Sequence, residues 1–211
     1  MGKVLQNKLQ KQKALLDSAY ELFTTIGFTK TTIRDIAHKA GVAKGTFYLY
    51  FEDKVEIRDA LVRAKSSQLL QDACASMDNA LRDGSTDMDT ADKFIYIIDY
   101  LIDYVSKDHN FLRFMSKHLS WGLFTGQHHT VQYHSDQEGA PVIDFVDYVG
   151  KMLERDQVTI RNPRLLIFTL LELVSSTCYD VILYNEPMTL AEFKPHLNNT
   201  IRLLVNDAII S

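Results

Sequence analysis

The stretch of sequence that decides the fold is TTIRDIAHKAGVAKGTFYLYFEDK, residues 31–54. Thr32 is placed to cap a helix from Ile33 to Ala40, with Asp35 three residues on as in a capping box. Gly41 then permits the left-handed backbone that a tight turn requires. A second short helix follows the turn, so these residues predict a helix-turn-helix.

The side chains of this segment divide into an inner and an outer face. Ile36 and Ala37 give the first helix a small inward face, and Phe47 anchors the second helix to the core. The outer face of the second helix then offers Lys44, Thr46, Tyr48 and Tyr50. A short helix with small and polar residues at its N-terminal end can enter the major groove of DNA without a clash.

The segment resembles the helix-turn-helix of the TetR family of bacterial repressors. The strings TTIRDIA (31–37) and AGVAKGTFYLYF (40–51), and the Lys54 that follows them, match position by position. The specific likeness covers roughly residues 9–60, and the remainder matches only in length and helical character. The resemblance implies an all-α fold, in which an N-terminal three-helix DNA-binding domain (residues 1–52, the head) joins a larger dimerisation and ligand-binding domain (residues 53–211, the body).

The resemblance also implies roles for individual residues. The predicted DNA-contacting residues are Thr32, Arg34, Lys44, Gly45, Thr46, Tyr48, Tyr50 and Lys54. Thr32 would bond a phosphate while it caps the helix, and Arg34 would reach a base edge or a phosphate, since arginine on guanine is the commonest specific contact. Gly45 would permit close approach of the backbone. The two tyrosines and Lys54 would bind phosphates, whereas His38 is expected to face solvent.

The charge distribution agrees with a DNA-binding head. The chain of 211 residues has a net charge of −4. Residues 1–51 hold eight basic and three acidic side chains, whereas the other 160 hold 15 basic and 24 acidic ones. A basic head on an acidic body is typical of a regulator that binds DNA, although a solvated lysine-rich segment would give the same count.

Periodic apolar residues predict helices in most of the remaining chain. The spacing predicts helices over 8–26, 53–82, 89–107, 111–119 and 141–156, and no strand. Asn162 and Pro163 predict the start of an apolar helix that reaches Tyr184. The last helix starts at about Thr189, or near Lys194 if Pro195 interrupts it. Residues 125–139 are polar and aperiodic, which favours a loop.

The body is expected to sense a small molecule and to dimerise. The resemblance implies a ligand pocket. Its candidate lining residues, each of which fits plain core better than a ligand wall, are Phe111, Phe114, Met115, Trp121, Phe124, Tyr148, Met152, Cys178 and Tyr179. The candidate dimer contacts, which could instead complete the protomer core, are Leu166, Leu170, Leu173, Leu197, Ile201 and Leu204. The expected partners are a pseudo-palindromic operator in double-stranded DNA, a second copy of the chain and an unidentified effector that shifts the helix at 53–82.

Other classes of protein find less support in the sequence. No cofactor or metal site is expected: residues 128–138 contain three histidines and two carboxylates, without the spacing of a closed zinc site. The sequence contains neither a glycine-rich phosphate loop nor a nucleophile elbow, the motifs that would indicate an enzyme. Two cysteines, no signal-like N-terminus and no long apolar run predict a cytoplasmic protein with no membrane partner. A TetR-like adaptor that binds a protein instead of an operator is the alternative.

Overall fold

The computed structural model describes residues 3–84, 87–115 and 145–210. In this part of the chain all regular structure is helical, as the sequence predicts, apart from one isolated antiparallel bridge between Ile160 and Ile209. The helices are α1 (Lys3–Thr25), α2 (Ile33–Lys39), α3 (Lys44–Phe47), α4 (Lys54–Arg82), α5 (Thr90–Lys107), α6 (His109–Met115), α7 (Phe145–Asp156), α8 (Pro163–Tyr184) and α9 (Leu190–Ala208).

The head folds as its sequence predicts. Thr32 caps α2 in a full capping box, because its side chain accepts from the Asp35 N–H and the Asp35 carboxylate accepts from the Thr32 N–H. Gly41 has a φ of +68°, in the left-handed region that favours glycine. Ile36 and Phe47 are fully buried. The turn and these two anchors hold α2 and α3 in a fixed arrangement.

The long helix α4 begins directly after the head. The Asp53 side chain caps it by accepting hydrogen bonds from the backbone N–H groups of Val55 and Glu56. Its buried side chains are Ile57, Ala60, Leu61, Val62, Ser66, Leu69, Leu70, Ala73, Cys74 and Met77. It packs against α1 and against α5, so it contacts helices of both the predicted head and the predicted body.

Helices α8 and α9 form an antiparallel pair. Arg161 donates its N–H to the Ala208 carbonyl, and Ile210 donates to the Thr159 carbonyl, both at 2.9 Å. Asn162 caps α8, and Pro163 occupies its first turn, as predicted. Thr189 caps α9 in a capping box with Glu192, so this helix starts at Leu190 and includes Pro195. The proline therefore does not delay the start of α9 to Lys194, because the cap fixes the first turn before it.

A ladder of charged and polar pairs joins α5 to α9. Arg202 pairs with Asp89 at 3.0 Å and also with Asp92. Nearer the start of α9, Lys194 lies 2.6 Å from Asp103. Because all these pairs are at least partly exposed, they orient the two helices more than they stabilise them.

Helix α8 is the one described helix that is long and apolar enough, by length and composition alone, to cross a membrane. Its buried side chains are Leu166, Ile167, Leu170, Leu171, Val174, Cys178, Val181 and Ile182. These side chains pack inside the protomer, whereas 44% of the apolar window of α8 is buried there, so packing within one protomer explains only part of its composition.

Candidate nucleic-acid interface

The N-terminal end of α2 presents two of the predicted DNA-contacting residues. Thr32 is exposed, and Arg34 follows it in the first turn with its side chain exposed as well. The Thr32 hydroxyl lies 2.6 Å from an Asp35 carboxylate oxygen, and the hydrogen bonds from Thr32 lower the pKa of Asp35. The cap fixes the first turn of α2 and so the backbone position of Arg34. The guanidinium of Arg34 takes no part in the cap, which Thr32 and Asp35 form.

Helix α3 presents a second exposed set beside the first. Lys44, Gly45 and Tyr48 are exposed, whereas Phe47 on the opposite side is fully buried. A Cβ placed on Gly45 would meet nothing within 4 Å. The packing of the protomer therefore does not require glycine at this position, and the bare backbone is open to an approaching partner.

Two predicted contact residues are less accessible. Thr46 and Tyr50 are half-buried, and Tyr50 packs against the hydrophobic core. A phosphate contact from either hydroxyl stays a prediction, since both side chains are only partly accessible.

Lys54 has an intramolecular role that its sequence position did not reveal. Its Nζ donates to the carbonyl oxygens of Phe28 and Thr31, both at 2.8 Å, and lies 4.4 Å from the centroid of the Phe28 ring. These contacts tie the α1–α2 connection to the start of α4. An ammonium has three protons, and these two bonds use two of them, so the phosphate contact of Lys54 stays a prediction.

Leu49 was not among the residues predicted from the sequence, yet it is 76% exposed, next to Tyr48. The sequence could have predicted this exposure, because Leu49 lies two residues after Phe47. In a helical turn, that spacing places the two side chains on opposite sides.

Seven of the nine candidate ligand residues lie in the described part of the chain, and their role in a ligand site stays a prediction. Phe114 packs against Tyr20 and Phe23 of the head, with centroid separations of 5.6 and 6.1 Å. Phe111 packs edge-on against Tyr104.

Met115, Met152 and Cys178 are buried, and Tyr179 contacts Tyr184. The Tyr148 hydroxyl donates to the Cys74 carbonyl oxygen, and burial raises the pKa of Tyr148. Trp121, Phe124 and the histidine-rich stretch 128–138 lie outside the described residues.

A small apolar cleft lies elsewhere, between α5, α7 and α8. Its lining consists of Phe94, Ile97, Ile98, Leu101, Phe145, Ile167, Leu170 and Leu171. None of the predicted ligand residues that the structure describes lines this cleft. The candidate dimer residue Leu170 does, which places it inside the body.

Most of the candidate dimer residues are inside the protomer. Leu166, Leu170, Leu197 and Ile201 are buried within one chain. Their burial agrees with the alternative that they complete the protomer core, and their contact with a second copy stays a prediction, because apolar periodicity identifies a packed face but not the partner of that face. Leu173 and Leu204 are half-buried. The exposed apolar side chains of the two helices and the residues just after α9 are Leu165, Phe168, Tyr184, Leu203 and Ile210.

Comparison with known proteins identifies the head. Residues 15–61 match the family model for bacterial regulatory proteins of the tetR family. The chain is 28% identical to the fatty acid metabolism regulator protein of Bacillus subtilis over 50% of this chain and 51% of that protein. It is 37% identical to the uncharacterised HTH-type transcriptional regulator YvdT of the same organism, over 44% and 42%. The chain thus spans about half the length of the curated relatives it matches.

The fold of the whole described chain also has solved counterparts. FadR of Thermus thermophilus, a TetR family transcriptional repressor solved in complex with lauroyl-CoA, superposes with a TM-score of 0.59 at 20% identity, over 95% of this chain and 96% of that one. At this identity the likeness concerns the fold. With the helix-turn-helix geometry of the head and the match to its family model, it leads to one conclusion: residues 15–61 match the DNA-binding domain of the TetR family of bacterial regulatory proteins, in a chain that has the fold of such regulators.

Proposed function

We propose that this protein is a homodimeric, sequence-specific DNA-binding repressor that a small-molecule ligand releases from a pseudo-palindromic operator. The observation that carries the proposal is the joint exposure of Thr32, Lys44 and Gly45, with Arg34 beside them, on two short helices whose inner sides are anchored by Ile36 and Phe47. A cationic, sterically open surface on a rigid support is what major-groove recognition needs. The protein acts by binding, as its relatives' names as regulators suggest, and its place is the bacterial cytoplasm.

The division of labour follows the two domains. Residues 1–52 read DNA, and residues 53–211 dimerise and bind the ligand. Helix α4 packs on both parts, so a ligand that favours one position of α4 changes the position of the head. Such a ligand acts only through its different affinity for the two positions.

Dimerisation is supported by what α8 and α9 leave exposed. Leu165 is 57% exposed near the start of α8, and Leu203 is 63% exposed near the end of α9. The bridge between Ile160 and Ile209 joins these two ends of the antiparallel pair, so both leucines lie at one end of it. A second copy that covers this end by two-fold symmetry would bury them and would place two heads on one operator.

The ligand class we propose is a fatty acyl thioester of coenzyme A. The supporting observations are the fatty acid metabolism regulator among the sequence relatives and the lauroyl-CoA complex among the structures of similar fold. The cleft between α5, α7 and α8 has an apolar lining, but its volume of about 10 Å³ has room for roughly one water molecule, so an alkyl chain would enter it only after these helices move apart. Burial of apolar surface would provide most of the affinity.

The experiment that tests the proposal is selection of binding sites from random duplex DNA by the full-length protein. We expect enrichment of a two-fold symmetric sequence, from which lauroyl-CoA releases the protein. Arg34→Ala is expected to weaken binding to that sequence roughly ten-fold or more, because one bidentate base contact contributes about 1–3 kcal/mol. Lys107→Ala is the matched control, since Lys107 is an exposed cation at the end of α5. The Lys107→Ala protein should bind the selected DNA with wild-type affinity.

Two outcomes would overturn parts of this proposal. If no sequence is enriched although the protein is folded and dimeric, operator binding is wrong and a protein-binding adaptor takes its place. If a sequence is enriched but neither lauroyl-CoA nor palmitoyl-CoA weakens the complex, the acyl-CoA ligand is wrong and the DNA-binding function stands.

A further inference from the structure

Leu49 is a large apolar side chain on the surface that we propose binds DNA. It is 76% exposed, the highest value among the exposed large hydrophobic residues in the described part of the chain. Its neighbours in the chain, Tyr48 and Tyr50, each have a ring contact or a core contact. A single exposed leucine is ordinary on a protein surface, so the case for a role rests on where its backbone places it.

The backbone continues in helical form from α3 through Leu49. The Leu49 N–H donates to the Thr46 carbonyl at 3.2 Å, and the N–H groups of Tyr50 and Phe51 both donate to the Phe47 carbonyl at 3.0 Å. The bonds from Leu49 and Tyr50 reach back three residues, as in a 3₁₀ turn, in which successive side chains are about 120° apart. Leu49, two residues after the fully buried Phe47, therefore points to the opposite side, away from the core.

Gly45 shares this outer side with Leu49, because four residues make about one helical turn. Its φ is not positive, and a Cβ added to it would meet nothing within 4 Å of the protein. The outer side of α3 and of the turn that follows it therefore includes the bare backbone of Gly45 and, four residues later, the apolar side chain of Leu49. A partner that approaches Gly45 closely also meets Leu49.

The chemistry of leucine restricts what it can recognise on DNA. The side chain has no donor or acceptor, so it cannot bond a phosphate or a base edge. Of the groups that base pairs present in the major groove, the thymine C5-methyl is the apolar one. We propose that Leu49 is a specificity-determining residue that packs against a thymine methyl group in each half-site. This inference rests on the proposed function, because it requires the head to occupy the major groove.

The test removes the methyl group from the DNA and the side chain from the protein. In the selected duplex, each thymine is replaced in turn by uracil, which lacks only the methyl group. Affinities are measured for the wild-type protein and for Leu49→Ala. We expect uracil at one symmetric position to weaken wild-type binding about four-fold per half-site, the factor that corresponds to burial of one methyl-sized group. The same replacement should change the affinity of Leu49→Ala by less than about two-fold, the precision expected of additive sites.

The controls separate this inference from the proposed function. Leu49→Ala should melt at the wild-type temperature, because the side chain is mostly exposed. Leu5→Ala, which truncates another exposed leucine of the head, should keep the wild-type response to uracil. If the uracil profiles of wild type and Leu49→Ala are the same at every position, the inference is wrong, although specific binding persists. If the wild-type protein selects no sequence, the proposed function itself fails.

Discussion

The ring of Phe114 in α6 packs edge-on against the ring of Tyr20 in α1, with 5.6 Å between centroids and an interplanar angle of 88°. The Lys65 ammonium of α4 also lies against Tyr20, 4.6 Å from the centroid of its ring. Head and body therefore meet at an aromatic contact as well as along α4. Helix α6 follows α5 directly. Because Phe114 of α6 packs on α1, a movement of α6 would change the packing of the head.

Phe114→Ala should lower the free energy of unfolding by about 3–5 kcal/mol, the usual cost of truncating a buried phenylalanine. The side chain is only 8% exposed and contacts two rings of the head. Urea denaturation monitored by circular dichroism measures the effect. Tyr104→Ala is the control, because Tyr104 also has an edge-on aromatic contact but is 46% exposed. Equal destabilisation of the two variants would contradict a stabilising role for the contact between head and body.

Lys54→Met should destabilise the protein by about 1–3 kcal/mol, because it removes a charged donor from two carbonyl oxygens. Those acceptors belong to Phe28 and Thr31, and both hydrogen bonds are partly buried. The same urea denaturation gives the value. Lys44→Met, which removes an exposed lysine from α3, should stay within about 0.5 kcal/mol of wild type. If Lys54→Met is as stable as Lys44→Met, Lys54 has no structural role and only the phosphate contact remains for it.

Gly45→Ala should leave stability unchanged or raise it by up to about 1 kcal/mol, because glycine costs that much in a helix. The backbone and the open space at this position accept a methyl group. The DNA affinity of Gly45→Ala should nevertheless fall, since the new methyl group would lie between the backbone of residue 45 and the major groove of the DNA. Thermal melting and a mobility-shift titration give the two values. Gly150→Ala, also in a helix with space around the new Cβ, should leave DNA affinity at the wild-type level. Full affinity in Gly45→Ala would rule out close backbone approach.

The ladder between α5 and α9 predicts a pH dependence of stability. The side-chain hydrogen bond from Arg202 holds the pKa of Asp92 below its usual value. A lowered native pKa stabilises the fold above the unfolded value of about 3.9, and this contribution disappears as the pH falls through the native pKa. The stability difference between wild type and Arg202→Met should therefore be larger at pH 7 than at pH 3. Urea midpoints at both pH values measure it, and a difference that grows on acidification would contradict the assignment.

Local signals in the sequence predicted the head and most helix starts. Thr32 with Asp35, Gly41, and Asn162 with Pro163 each determine a cap or a turn through interactions within a few residues. Such features are readable because all participants lie close together in the chain. The start of α1 at Lys3 instead of residue 8 has no such signal, since polar residues precede the apolar pattern.

Long-range features were not readable in the same way. Periodicity marked Leu166 and Ile201 as apolar positions, but only the fold reveals that they face the protomer core. Phe114, a candidate for the ligand pocket, contacts Phe23, more than 90 residues earlier in the chain, and the sequence did not indicate this contact. Lys54 likewise bonds carbonyl groups more than 20 residues away. Each depends on which elements pack together, which residue spacing alone does not determine.

The salt dependence of binding to the selected DNA is the most direct test of the central claim that the head binds DNA through its exposed cationic face. A plot of log affinity against log salt concentration should be linear with a negative slope, because each neutralised phosphate releases counterions. Lys44→Ala should reduce the magnitude of that slope by about 0.9 for each phosphate that the variant no longer neutralises, while Lys107→Ala should reproduce the wild-type line. Affinity that is independent of salt, or identical lines for wild type and Lys44→Ala, would contradict this account of the head.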